Sequence, residues 1–470
     1  MSSRYNLTYR KPVPKIKYAF CTKGIAQYER NGGTKMKKKL LSLLLVTSMA
    51  AGMFAGCGAS GGSDDKTSKG EDENTLTVWA WDQTFNIYAM KEAEKVYQKD
   101  HPDFKLNIVE TPWDDLQTQL GTIVGAGDYS KLPDICLMQD FAYQKYVTTY
   151  PDLYQDITDS GIDFSQFAEG KLAASTVDGK NYGVPFDNGA EIACYRTDIL
   201  EQAGYKISDL TDIDWDKFIK IGEDVYSKTG YSLLSVQAGS SDLIYQMLQS
   251  AGFSTWKDDK TPDIKGNKNI KQCMEIYKEM VDKHVLAVVN SWDEYIATFT
   301  SGKTCGVMNG CWILASVQTA TDQSGKWGLT NMPKLPGVAS ATNYSNQGGS
   351  TWAITKNCKN TKLAADFLAK TFAGSKELYD TILPKSGAIA TWLPASESEV
   401  YNEPQEFFGG QAIYKEIADY ASKTPSVNLG VYYTEANTAL TTALANVVGG
   451  GDIDSELETA QQTVEFNMGK

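Results

Sequence analysis

From residue 76 onward, short apolar runs alternate with stretches of helical periodicity. Residues 76–81 (Leu-Thr-Val-Trp-Ala-Trp) form a near-continuous β-prone run. Residues 87–99 then place Ala89, Met90, Ala93, Val96 and Tyr97 at helical spacing. Asp100-His101-Pro102-Asp103 ends that helix, and residues 105–109 read as a second strand. Leu116, Leu120, Ile123 and Val124 line the next helix, and residues 133–137 form a third strand. Strand, helix, strand, helix, strand predicts a parallel sheet with right-handed crossovers, and buried parallel strands take the form of such short apolar runs.

The middle of the chain repeats the pattern. Residues 182–186 lead into a strand over 191–196, and helices follow near 215–227 and 242–251. An amphipathic helix over 271–283 carries Cys273, Met274, Ile276, Tyr277, Met280 and Val281 on one face. Residues 306–308 read as strand, 312–319 as helix, 348–354 as a strand after a glycine pair, and 363–372 as helix. The last hundred residues are mostly helical, most clearly over 435–448 and 453–467. No internal repeat stands out.

The N-terminus has a different character. Met36 and three lysines precede an apolar stretch over 40–46 and small residues ending Phe54-Ala55-Gly56-Cys57. A positive segment, a short apolar segment and a small-residue cleavage point define a secretory signal. Ser42, Thr47 and Ser48 interrupt the run, which is too short to span a bilayer. Ala-Gly-Cys in this place resembles a lipobox, which implies that Cys57 is acylated and becomes the mature N-terminus; Phe54 departs from the usual Leu. Residues 57–74 are almost free of apolar side chains and predict a flexible tether of roughly 20–25 Å. Residues 1–35 are basic and aperiodic and read as an upstream over-extension of the reading frame, and 36–56 as the lipoprotein signal peptide.

Charge narrows the function. The chain has 45 Lys/Arg against 58 Asp/Glu, yet the first 56 residues hold 11 of the bases and a single Glu, so the remainder is strongly acidic. Such a surface excludes nucleic acid and anionic lipid as partners. Six cysteines follow Cys57 (Cys136, Cys194, Cys273, Cys305, Cys311, Cys358), without the paired spacing of a zinc site, and several sit in apolar runs as buried thiols. With two histidines in separate segments, neither a metal site nor histidine-based catalysis is expected, and no cofactor is implied. There is no Gly-x-Ser-x-Gly elbow, P-loop or His-Glu-x-x-His helix. A secreted glycoside hydrolase would need two carboxylates, and so acidic a chain supplies chance pairs everywhere.

The order of elements, together with Leu76-Thr-Val-Trp-Ala-Trp-Asp82, Leu132-Pro-Asp-Ile135, Tyr182-Gly-Val-Pro-Phe-Asp187, Tyr195-Arg-Thr-Asp198, Gly306-Val-Met-Asn-Gly-Cys-Trp312, Gly349-Ser-Thr-Trp-Ala-Ile354 and Leu363-Ala-Ala-Asp-Phe-Leu368, resembles the extracellular solute-binding proteins of bacterial sugar ABC importers, the family that includes maltose-binding protein. The resemblance implies an α/β, two-lobed periplasmic-binding-protein-like fold with discontinuous domains and an interlobe cleft. It places chain crossings near residues 186, 349 and 390. Residues 75–186 with 350–390 would form the N-terminal lobe, and 187–349 with 391–470 the C-terminal lobe. It further implies a sugar or oligosaccharide ligand, ABC permease subunits as partners, attachment to the outer face of the cell membrane through the lipid anchor, a monomeric state and no enzymatic activity. A peptide or polyamine receptor, a hydrolase and a non-transporting adhesin are the alternatives; 10 Trp and 26 Tyr favour a sugar.

A pyranose offers an apolar face for an aromatic ring and a rim of hydroxyls for carboxylates and amides. In open α/β sheets the cleft lies beyond the carboxyl ends of the strands. Loops after strands therefore nominate Asp82, Asn86, Trp113, Asp140 and Asp187, with Asp82 alternatively a helix cap. In the second lobe the family places a stacking aromatic at Trp312. Trp352, Gln411 and Tyr432 complete the candidate set, Trp352 with core packing as its alternative. Trp215, Trp256, Trp292 and Trp327 are assigned to packing.

Overall fold

The structure, a computed structural model, describes residues 73–257 and 260–469. The signal peptide, Cys57 and the tether up to residue 72 lie outside the described residues.

The chain opens with β1 (Thr75–Ala80), α1 (Asn86–Gln98), β2 (Lys105–Glu110), α2 (Trp113–Ala126), β3 (Ile135–Gln139) and α3 (Asp140–Thr149). β1 pairs parallel with both β2 and β3, as the alternating pattern predicts. β3 is buried along nearly its whole length, whereas β2, at the sheet edge, exposes Lys105, Val109 and Glu110. Charged residues on an edge discourage pairing with another chain. α4 (Glu169–Ser175) and a small hairpin, β4 (Thr176–Val177) and β5 (Lys180–Asn181), lead to β6 (Gly183–Asn188) and directly to β7 (Glu191–Arg196).

α5 (Thr197–Ala203), α6 (Trp215–Thr229), β8 (Leu234–Gln237), α7 (Asp242–Ser250), α8 (Lys268–Asp282), β9 (Leu286–Val289), α9 (Trp292–Thr300), β10 (Gly306–Gly310), α10 (Leu314–Val317) and β11 (Trp327–Thr330) follow. The helix expected over 312–319 is in fact a 3₁₀ turn at Cys311–Ile313 running into the four-residue α10. The remainder is β12 (Ser350–Ile354), α11 (Thr361–Lys370), α12 (Lys376–Ser386), β13 (Ile389–Ala390), α13 (Leu393–Ser396), α14 (Ile413–Lys423), α15 (Tyr433–Val448) and α16 (Ile453–Asn467).

Two sheets result. The first has the order β13-β6-β12-β3-β1-β2, with β12 antiparallel to β3 and β6. The second has β7 between β10 and β11, both antiparallel to it; the parallel pair β8 and β9 continues it through the Ser232–Thr304 bridge. Both are covered on two faces, as side-chain alternation shows. Ile135 and Leu137 enter one core with Trp352 and Phe367, and Cys136 and Met138 enter another with Leu116 and Tyr143. Along β7, Ala193 and Tyr195 face α6, α7 and α15, whereas Ile192 and Cys194 face α14.

Local chemistry sets the element ends. The Asp214 carboxylate caps α6 by accepting from the Lys217 amide at 2.9 Å, and Gly230, at φ 78°, terminates it. All six described cysteines are buried and unpaired.

Candidate functional site

Strand direction decides where a site can form. β1, β2, β3 and β6 all end at one edge of the first sheet, where β12 begins. β8, β9 and β10 end at one edge of the second sheet, where β7 begins. The β6–β7 link, Gly189-Ala190, joins these two edges, so the carboxyl ends of both sheets open beside the same crossing. A returning segment runs beside it: Ala190 bridges Asn346, and the Gln347 amide donates to the Gly189 carbonyl at 2.8 Å. A Cβ on Gly189 would lie 2.5 Å from the Gln347 oxygen, so the two segments touch backbone to backbone. β13 adds a third strand there, pairing with Asn188 and Asp187.

At the first-sheet edge the structure brings Asp140 and Asp187 together. The Asp140 carboxylate pairs with Lys171 and accepts from the Thr351 hydroxyl at 2.8 Å. Asp187 is 1% exposed and accepts from the Ser350 hydroxyl at 2.5 Å. Burial pushes the Asp187 carboxyl up to about 6, with Lys171 and Ser350 acting in the opposite direction. The side chains of this cluster tie the crossing strands to one another.

The other candidates beside the first sheet divide. Asp82 is committed to the loop: its Oδ1 accepts from the Thr84 amide and hydroxyl and the Phe85 amide, at 2.8 to 2.9 Å. Asn86 is fully buried, with Oδ1 accepting from the Trp81 and Asp82 amides, which holds the turn into α1. Trp113 is half-buried and sits edge-on to Trp81, with ring centroids 5.4 Å apart. The ring row continues through Phe141 at 6.4 Å to Tyr433 of α15, 4.6 Å further on, and Tyr245. Beside this contact, Lys145 of α3 pairs with Glu435 of α15.

At the second sheet, half-buried Trp312 lies at the end of β10, its indole N–H donating to the Gln347 carbonyl at 2.8 Å. Its ring lies against Trp292, centroids 5.9 Å apart, and Trp292 is 41% exposed. Trp292, read from the sequence as a packing residue, does pack on Tyr295 and Trp312 but also lies just past the end of β9 with part of its ring open to solvent. Beside it, a small recess of about 70 Å³ is lined by Trp292 with Ser240, Asp242, Gln246, Tyr295 and Asn309 among others.

Two expectations are corrected. Trp352 is 0% exposed and packs between Phe186 and Phe372, because β12 is an interior strand whose Trp352 side chain enters the core. Gln411 clamps β11: its amide oxygen accepts from the Leu329 amide at 2.9 Å, and its amide nitrogen donates to the Leu329 carbonyl and the Glu416 carboxylate. Tyr432, just before α15, is partly exposed and lies against Trp256 at 6.4 Å.

Residues 92–408 match the family described as bacterial extracellular solute-binding proteins. The chain is 38% identical to the lactose-binding protein of Rhizobium radiobacter over 386 residues, covering 82% of this chain and 91% of that protein. It is 24% identical to the arabinooligosaccharide-binding protein of Halalkalibacterium halodurans, covering 82% and 87%. In fold it is similar to the ABC transporter associated binding protein from B. animalis subsp. lactis in complex with beta-1,6-galactobiose (TM-score 0.72, 21% identity, 84% and 97% covered).

Proposed function

The chain belongs to the bacterial extracellular solute-binding proteins, and from that premise we propose that it captures a sugar or short oligosaccharide between its lobes and delivers it to the permease of an ABC importer. The observation that carries this reading is the convergence of both sheets' carboxyl ends on one crossing, with Trp113, Trp292 and Trp312 and the carboxylate of Asp242 at those ends. Aromatic rings meet sugar faces and carboxylates accept their hydroxyls. Relatives named for lactose and arabinooligosaccharide support a neutral disaccharide or longer glycan as cargo.

Residues 75–186 with 350–390 form the first lobe in this reading, and 187–349 with 391–470 the second. Near the third crossing the cores interleave: Leu383 and Ile389 pack with the second lobe, Trp392 and Ala395 with the first. The lobes close over ligand about the crossing strands, and the closed pair is what the permease meets. No bond is made or broken. Acylated Cys57 anchors a monomer outside the membrane; among the described residues no helix is long and apolar enough to cross one.

Thermal unfolding of the chain against lactose, arabinobiose, galactobiose, peptides and polyamines tests the reading. A saturable rise in midpoint with one sugar class supports it; shifts with peptides or polyamines alone refute it. Labelled palmitate that enters the wild-type protein but not Cys57→Ala is the result expected of the anchor.

A further inference from the structure

Gln347 stands where the crossing and two of the candidate sugar contacts meet, and its three polar groups turn to three different neighbours. It is half-buried and lies on the returning segment, just before the glycine pair that leads into β12. Its amide donates to the Gly189 carbonyl at 2.8 Å. That bond belongs to a short ladder, in which the Glu191 amide donates to the Ser345 carbonyl at 2.9 Å and Ala190 bridges Asn346. Its carbonyl accepts from the Trp312 indole N–H at 2.8 Å. Its side-chain amide reaches Asp242, the first residue of α7. Burial pushes the Asp242 carboxyl up, and the Ser240 and Gln347 side chains act in the opposite direction.

Trp312 follows β10 and Asp242 opens α7, so the two side chains are carried by different elements. Gln347 is a neighbour that both share. The approach of the indole depends on Gly310, where a Cβ would overlap both the Gln347 oxygen and the indole nitrogen. The turn itself is held by the backbone ladder and by the Asn346 side-chain amide, which donates to the Gly348 carbonyl at 2.8 Å. These bonds do not involve the Gln347 side chain, which is left to act on Asp242. A contact group binds best when its orientation is set before the ligand arrives, and neighbouring hydrogen bonds are what set it.

We propose that Gln347 is a positioning residue for sugar binding: from the crossing it sets the Trp312 ring through its carbonyl and the Asp242 carboxylate through its side chain, so that lobe angle and the alignment of these contacts change together. The inference rests on the sugar-binding reading and adds to it a residue that acts through others. In the proposed closure, turning about the crossing moves Gln347, and Trp312 and Asp242 follow it. Cargo that needs the aligned pair thereby favours one lobe angle.

The test is a double-mutant cycle on the full chain in detergent, read by isothermal titration with lactose up to millimolar concentration. Gln347→Ala keeps both backbone bonds and removes only the hold on Asp242. It weakens lactose binding about tenfold and moves the unliganded melting midpoint by no more than about 2 °C. Gln347→Met, of similar length without the amide, loses as much. In Asp242→Ala, itself a weaker binder, the further loss from Gln347→Ala shrinks to within about twofold, because no carboxylate remains to be placed. Asp242→Ser serves the same cycle if Asp242→Ala does not fold. A tenfold loss in both backgrounds means that Gln347 touches the cargo itself and overturns the inference. Normal binding by Gln347→Ala, Gln347→Met or Asp242→Ala overturns it too, as does a loss of affinity matched by a midpoint several degrees lower. Each of these outcomes leaves the sugar reading standing. Failure of lactose, galactobiose and arabinobiose alike to bind the wild type defeats the sugar reading, and this inference with it.

Discussion

At the scale of single residues, two tryptophans make opposite demands. Trp292 is open on one face, and its removal leaves no core cavity. Trp292→Ala is expected to weaken sugar binding at least about tenfold while moving the melting midpoint by no more than about 2 °C. Trp352→Ala empties a site at 0% exposure between two phenylalanines and should cost about 3–5 kcal/mol of stability. Titration calorimetry and chemical denaturation separate the two losses; a Trp292→Ala protein that binds normally would remove that residue from the site. Asp187 supplies a pH signature. Its carboxyl is raised from 3.8 to about 6, so between those values the folded state holds a proton that the unfolded chain has released. Stability from this group is full below about 4 and is lost as pH rises through 6, a change of about 3 kcal/mol. Asp187→Asn does not titrate, so denaturation midpoints at pH 4 and pH 7 should show the variant gaining on the wild type as pH rises. The opposite slope would mean that the Lys171 charge outweighs burial.

At the scale of elements, α15 reaches α3 through the Phe141–Tyr433 ring contact and the Lys145–Glu435 pair, a contact between the two lobes in the proposed division of the chain. The pair is about four-fifths buried and bridges the lobes, so it favours whichever lobe orientation retains it. Replacing both partners together, Lys145→Met with Glu435→Gln, avoids stranding one charge. The double variant should alter sugar affinity by about two- to tenfold with little change in the unliganded melting midpoint; unchanged affinity would mean that the pair holds no lobe orientation. Element patterns also explain what the sequence disclosed. The β1-α1-β2-α2-β3 unit was legible because parallel strands buried on both faces leave apolar runs and helices leave a 3.6-residue stripe. β8, β9 and β11 have only four residues each, so no window of sequence shows their period. Trp292 reads as packing in the sequence for the same reason: without β9, nothing marks it as lying past a strand's end. Asp82, Asn86 and Gln411 had the right chemistry in loops, but the backbone donors that claim them belong to folded turns and strands, and spacing along a chain does not show which partner wins.

At the scale of the whole molecule, the two lobes are joined where backbones touch without side chains between them. Gly189 meets the Gln347 oxygen and the Gly348 carbon at distances that leave no room for a methyl group, and Gly348 and Gly349 hold φ of 99° and 94°. In the proposed closure this crossing is the axis about which the lobes turn. A methyl at Gly189 must push the two segments apart, which displaces β7 relative to β12 and alters the lobe angle more than either core. Gly189→Ala is therefore expected to reduce the fall in radius of gyration that sugar causes in the wild type and to weaken affinity at least about tenfold, because part of the ligand's contact energy then goes into straining the crossing. Small-angle scattering with and without lactose measures the first effect and titration calorimetry the second. A variant that melts several degrees lower but closes as fully as the wild type would show that the strain is absorbed locally, and that the lobes pivot about another part of the chain.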